Sequence, residues 1–128
     1  MPPKKSPTLT EAELRLMEVL WKKGPATVHA ILEELPPKPA LAYNSVLTTI
    51  RILEKKGYVQ HVKEGRAHVY MPLVGRNEAT RVEIRNLLGK FFKNSRELLL
   101  LNLLEDKSID AEELARMRRV IDTAKENA

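Results

Sequence analysis

The chain contains no cysteine. Disulfides, thiolate zinc or copper sites and cysteine nucleophiles are therefore excluded. Its first ten residues, MPPKKSPTLT, hold no apolar signal region. The longest apolar run, Leu98 to Leu101, falls far short of the ~20 residues that span a bilayer. No membrane insertion is expected, and the expected location is cytoplasmic. There are only five glycines, and none of them builds a glycine-rich phosphate loop. His29, His61 and His68 do not stand at metal-ligand spacing, so neither a metal nor another cofactor is expected. Asp110, Glu112 and Glu113 form a helix start, where the helix dipole favours carboxylates. No nucleophile, base and orienting group occur together, so there are no candidate catalytic residues and the chain does not read as an enzyme.

What is present is ordinary globular composition, 43% apolar and 30% charged. A length of 128 residues accommodates one compact domain, or a small domain with an oligomerisation segment. The formal net charge of +5 suits a polyanionic partner. Residues 1–75 hold 11 basic and 7 acidic side chains, against 11 and 10 in residues 76–128. Most of the positive excess thus lies in the first part.

The local pattern predicts a mainly α fold with a small β-hairpin. Residues 1–9 read as a flexible arm, with three prolines and two lysines among them. Thr10 and Glu13 make a capping box for a first helix through Leu14, Met17 and Trp21, closed by Gly24 and Pro25. Thr27 caps a second helix through Val28, Ile31, Leu32 and Leu35, ended by Pro36, Pro37 and Pro39. A third runs from about Ala42 to Lys56, with Val46, Ile50 and Leu53 at helical spacing, and stops at Gly57. Two short strands, Tyr58 to Lys63 and Ala67 to Met71, flank Glu64, Gly65 and Arg66 as a hairpin. Helix, helix, helix, hairpin over residues 10–74 is the order of a winged helix-turn-helix. Residues 75–128 read as a helical dimerisation region, with helices over 77–93 and 95–105 and a last one introduced by Asp110 and Glu113. Six leucines between 95 and 105 cannot share one face, and Leu114, Met117 and Ile121 form a narrow seam. Leu88, Phe91, Leu99, Leu103, Leu114, Met117 and Ile121 are the candidate dimer contacts.

The third helix carries a second, polar face. Asn44, Thr48, Arg51 and Lys55 lie opposite its apolar positions, with Ser45 beside them. Asn, hydroxyl and Arg side chains are the groups that read base edges in a DNA major groove. Short polar groups come first, where bases would be approached, and Arg51, Lys55 and Lys56 later, where phosphates would be. Tyr43 offers a hydroxyl for a phosphate, or packs against the proline-rich turn. Lys63, Gly65, Arg66 and His68 make a basic hairpin tip fit for the backbone or the minor groove.

Two segments, LTEAELRLMEVLWKKGPATVHAILEEL and AYNSVLTTIRILEKKGYVQHVKEGRAHVYMPLV, carry the motifs E-x-x-L-M-x-x-L-W and S-V-x-T-x-x-x-x-L-x-x-K-G-x-V. With the looser ELLLLNLLEDKSIDAEELARMRRVI, they resemble the penicillinase repressor family, the BlaI/MecI/CopY group, over about residues 8–125. The resemblance implies a homodimeric repressor on inverted-repeat operators, governing its own operon and a resistance or stress operon. It implies recognition by residues 43–56 and dimerisation by the C-terminal helices. Copper-responsive members carry paired cysteines near the C-terminus, so that branch is set aside. Penicillinase-type members are inactivated by cleavage of an Asn-Phe bond, through a membrane sensor-protease as a possible partner. The matching bond here is Asn102-Leu103, with leucine in place of phenylalanine. Leu47 stands where such members can have arginine, so their operator sequence does not carry over. A ligand-sensing winged-helix regulator and a winged-helix protein-interaction module remain as alternatives.

Overall fold

The computed structural model describes residues 8–37 and 41–128. Three helices and a hairpin form its first unit. α1 (Glu11–Lys23) opens on an intact capping box. The Thr10 hydroxyl accepts the Glu13 N–H at 3.2 Å, and the Glu13 carboxylate accepts the Thr10 N–H at 3.0 Å. Two of the donors that every helix start leaves open are thereby satisfied. α2 (Val28–Glu34) is capped by the Thr27 hydroxyl. α3 (Tyr43–Lys56) ends at Gly57, whose φ of +85° is the left-handed conformation that glycine adopts without cost. The Tyr58 N–H reaches back to the Leu53 carbonyl at 3.0 Å, which closes the helix end.

β1 (Val59–Glu64) pairs antiparallel with β2 (Ala67–Pro72), from Val59 opposite Pro72 to Glu64 opposite Ala67. The turn is only Gly65 and Arg66. Its positive φ, +59° at Gly65, sits at the first central position, where a tight hairpin turn demands glycine. Ala26 adds a one-residue third strand, exchanging two backbone hydrogen bonds with Tyr70 at 2.9 and 2.8 Å. The core gathers Leu16, Met17 and Leu20 from α1, Ile31 from α2, Val46, Ile50 and Leu53 from α3, and Val59 and Tyr70 from the hairpin.

Several expectations need revision. Residues 1–7 of the expected arm, and Pro39 of the connection, lie outside the described residues. Thr8 and Leu9, however, belong to the folded unit. The Leu9 N–H donates to Glu83 at 2.7 Å, and the Thr8 carbonyl accepts from the Lys56 ammonium at 3.0 Å. Lys56 is consequently not at the surface awaiting phosphate. Its ammonium is buried against the Glu13 carboxylate at 2.6 Å. The division between units falls between Asn86 and Leu87, inside α4 (Arg76–Phe91), and not at residue 75. The first half of α4 belongs to the first unit because Ala79 is buried in its core and Glu83 holds Leu9.

The second unit comprises residues 87–128. α4 stops at Phe91, short of the expected residue 93, because Lys93 and Asn94 take left-handed φ values of +50° and +63°. The Asn94 N–H bonds the Leu88 carbonyl at 2.9 Å. α5 (Arg96–Leu104) is capped by Ser95, and α6 (Ala111–Glu126) by Asp110. Among the described residues no helix is long and apolar enough to cross a membrane.

Candidate nucleic-acid interface

α3 is fixed by its buried face and offers the other. Val46, Ile50 and Leu53 are buried, while Tyr43, Asn44, Ser45, Thr48, Arg51 and Lys55 are exposed. The two threonines are not equivalent. Thr49 spends its hydroxyl on the Ser45 carbonyl at 2.8 Å, a back-bond within the helix. Thr48 makes no such bond among the described residues, so its hydroxyl is available to an outside partner. α1, α2, α5 and α6 each have a side chain capping the first turn, whereas Ala42 gives α3 none. The first turn of α3 therefore presents backbone donors that an acceptor outside the chain can meet.

The hairpin folds back beside this helix. Between them lies a cleft of about 430 Å³, lined by Arg51, Arg66, His29, His68, Tyr43 and Thr27 with apolar neighbours and no carboxylate. Glu54, the nearest acid on α3, is engaged elsewhere, with its carboxylate on His61 Nδ1. The His61 ring in turn stacks on His68, centroids 4.5 Å apart at 15°. Tyr43 is set by the His29 ring at 4.8 Å. Burial pushes the Tyr70 hydroxyl above the ordinary tyrosine range, with the Glu54 charge adding to the rise and Arg51 opposing it. The cleft is thus an electropositive seat suited to an anion.

The structure brings Tyr43, Arg51 and Arg66 into this cleft. Asn44, Ser45, Thr48 and Lys55 occupy the exposed face of α3 outside it, and Lys63 lies on β1 opposite His68. Sequence reasoning missed His29 and assigned Thr27 only its capping role. Nothing local in the sequence signals that the start of α2 faces the wing.

Among the expected dimer contacts, Phe91, Leu103, Leu114 and Ile121 are exposed, and Leu99 and Met117 half-buried. Leu88 is covered by its own chain, 7% exposed, so it is not available to a partner. Leu98, Leu101, Leu104 and Val120 are further exposed apolar side chains in the same unit, not among those expected contacts. Asn102 and Leu103 lie exposed near the end of α5, and the Asn102 amide donates to the Leu98 carbonyl at 2.9 Å.

Residues 9–123 match the family described as penicillinase repressor. The chain is 29% identical over 122 residues to the penicillinase repressor of Bacillus licheniformis, covering 95% of each chain. It is 31% identical over 115 residues to the transcriptional regulator BlaI of Mycobacterium tuberculosis, covering 88% of this chain and 82% of that one. It is 25% identical over 113 residues to the methicillin resistance regulatory protein MecI of Staphylococcus aureus, covering 88% and 92%. The solution structure of the DNA binding domain of the repressor BlaI superposes with a TM-score of 0.51 at 33% identity, over 59% of this chain and 92% of that one. The chain belongs to the penicillinase repressor family, and it is a winged-helix DNA-binding transcriptional repressor rather than an enzyme.

Proposed function

We propose that the chain acts as a cytoplasmic homodimer that recognises inverted-repeat operators, with α3 in the major groove and the hairpin on the adjoining backbone. The observation that carries this reading is the continuity of two surfaces. The exposed row Asn44, Ser45, Thr48 and Lys55 runs beside a cleft holding Arg51 and Arg66 with no carboxylate. Asn and hydroxyl groups discriminate base edges, whereas guanidinium groups bind either guanine or phosphate.

Dimerisation is supported by the apolar side chains that residues 87–128 leave in water. Leu98, Leu101, Leu103, Leu114 and Ile121 are each 39–50% exposed. Each leucine carried into an interface contributes on the order of 1 kcal/mol. Joining two half-site readers raises affinity by about 10²–10⁴ through effective concentration alone. Footprinting tests the assignment. Arg51→Ala and Thr48→Ala are expected to lose the specific footprint while remaining dimeric, and footprints like the parent's from both variants contradict it.

Relief of repression follows by cutting the Asn102-Leu103 bond, by a protease answering to a membrane sensor. The bond is exposed and lies near the C-terminal end of a nine-residue helix. A helix of that length frays readily, and a protease needs extended backbone. The cut removes the dimer's gain in affinity and leaves the reading surface of α3 untouched.

A further inference from the structure

One cavity of the first unit is neither the DNA-facing cleft nor part of the core. It is a groove of about 670 Å³ between α1 and the end of α2, lined on α1 by Arg15, Glu18, Val19, Lys22 and Lys23 and closed by Arg76. Its α1 members stand at i, i+3, i+4, i+7 and i+8, one continuous stripe of the helix turned away from Leu16, Met17 and Leu20. Val19, Leu35 and Pro36 give it an apolar floor. Four cations outnumber two carboxylates around that floor, and the volume falls in the range of small-ligand sites.

We propose that this groove binds a small amphiphilic carboxylate, with its aliphatic body on Val19, Leu35 and Pro36 and its carboxylate among Lys22, Arg15 and Arg76, and that occupancy weakens operator binding. The cations can receive it. Lys22 makes no hydrogen bond or ion pair among the described residues. Arg15 and Lys23 are held only by solvent-facing pairs, with Glu11 and Glu34, whereas Arg76 grips Glu18 at two points and lies over the Trp21 ring. Exposed single-point pairs such as those of Arg15 and Lys23 are worth little and exchange partners readily.

Arg76 supplies the link to function. It is the first residue of α4, its guanidinium lies 5.0 Å from the Trp21 ring centroid, and Glu18 holds it to α1. A carboxylate that draws Arg76 from Glu18 loosens the first turn of α4, the helix that leads from the DNA-reading unit into the second one. The binding half needs no partner macromolecule, whereas the regulatory half rests on the repressor reading above.

The test is an amide-resolved NMR titration of the full chain with octanoate, with 1-octanol as the neutral control. Octanoate is expected to shift the amides of Val19, Lys22, Leu35 and Arg76, and octanol to leave them in place. Lys22→Glu is expected to weaken octanoate binding about tenfold, the effect of ~1.4 kcal/mol. Saturating octanoate is expected to weaken operator binding at least about fivefold, the lower range of coupling between two sites. Absent shifts, equal shifts with octanol, or an unaffected Lys22→Glu variant overturn the site. Binding without a change in operator affinity overturns the coupling. Because the NMR arm uses no DNA, failure of the groove is distinguishable from failure of the repressor reading.

Discussion

At the scale of single residues, Glu13 does two jobs with one carboxylate. It accepts the Thr10 N–H at the start of α1 and the Lys56 ammonium at the end of α3, at 3.0 and 2.6 Å. Both side chains of the ion pair are at least nine-tenths buried. Glutamine serves a capping box as well as glutamate does, so the two roles can be separated. Glu13→Gln keeps the cap but removes the charge facing the buried Lys56 ammonium, which retains the Thr8 carbonyl as acceptor, at a cost of about 3–5 kcal/mol. Thermal unfolding is then expected to begin some 10–20 °C lower for a domain of this size. A variant that melts with the parent contradicts the buried-pair account.

Tyr58 and Tyr70 give a second expectation at this scale. Burial raises both hydroxyls, chiefly by disfavouring the phenolate, and neighbouring glutamates add to it. A group whose folded-state value is raised contributes stability below its unfolded value and loses it as pH climbs through the folded one. Stability is therefore expected to fall as pH rises above the ordinary tyrosine range near 10. Tyr70→Phe is expected to flatten that decline in urea-unfolding midpoints measured from neutral to alkaline pH. For Lys63 and Arg66, exposed on the wing, replacement by alanine is expected to weaken binding to all sequences alike. Each is expected to lower the salt slope by about one unit, read by anisotropy across salt concentrations.

At the scale of elements, the sequence foretold what is local. The Thr10 box, the Thr27 cap, the helix stops at Gly24 and Gly57 and the hairpin turn at Gly65 follow from neighbours within a few residues. What was hidden depends on contacts across long stretches of chain. The Ala26 bridge to Tyr70 is one case, since a single extended residue has no periodicity. Lys56 is another, because only the folded chain places Glu13 within its reach. The polar row of α3 was legible from spacing alone. The cleft was not, because His29 and Thr27 join Arg66 and His68 only when the wing packs beside α2 and α3. The family resemblance pointed to the same recognition helix but carried no information on the Lys56 pair.

α5 yields a prediction at this scale. Ser95 Oγ accepts the Leu98 N–H at 3.0 Å, and loss of such a cap costs about 1 kcal/mol. Ser95→Ala is expected to speed thermolysin nicking at Asn102-Leu103 about fivefold, mapped by mass spectrometry, since opening precedes cleavage. An unchanged rate at that bond means that fraying of α5 does not control it.

At the scale of the whole molecule, the chain divides its labour. The described residues up to 86 bury a compact core and turn a polar helix face outward, while residues 87–128 keep many leucines in water. A single reading helix makes few contacts, and in the proposed dimer a second copy doubles them. Leu114→Asp with Met117→Asp is expected to give a monomer by sedimentation and to cost about 10²–10⁴ in operator affinity. A double variant that stays dimeric removes α6 from the interface.

The most direct test of the central claim is selection of fragmented genomic DNA by the purified full chain at near-physiological salt, followed by sequencing of what is retained. A dimeric repressor reading through α3 predicts enrichment of one short inverted repeat, with half-sites separated by a whole number of helical turns. Featureless enrichment that vanishes as salt rises is phosphate attraction alone, and it would contradict sequence-specific repression.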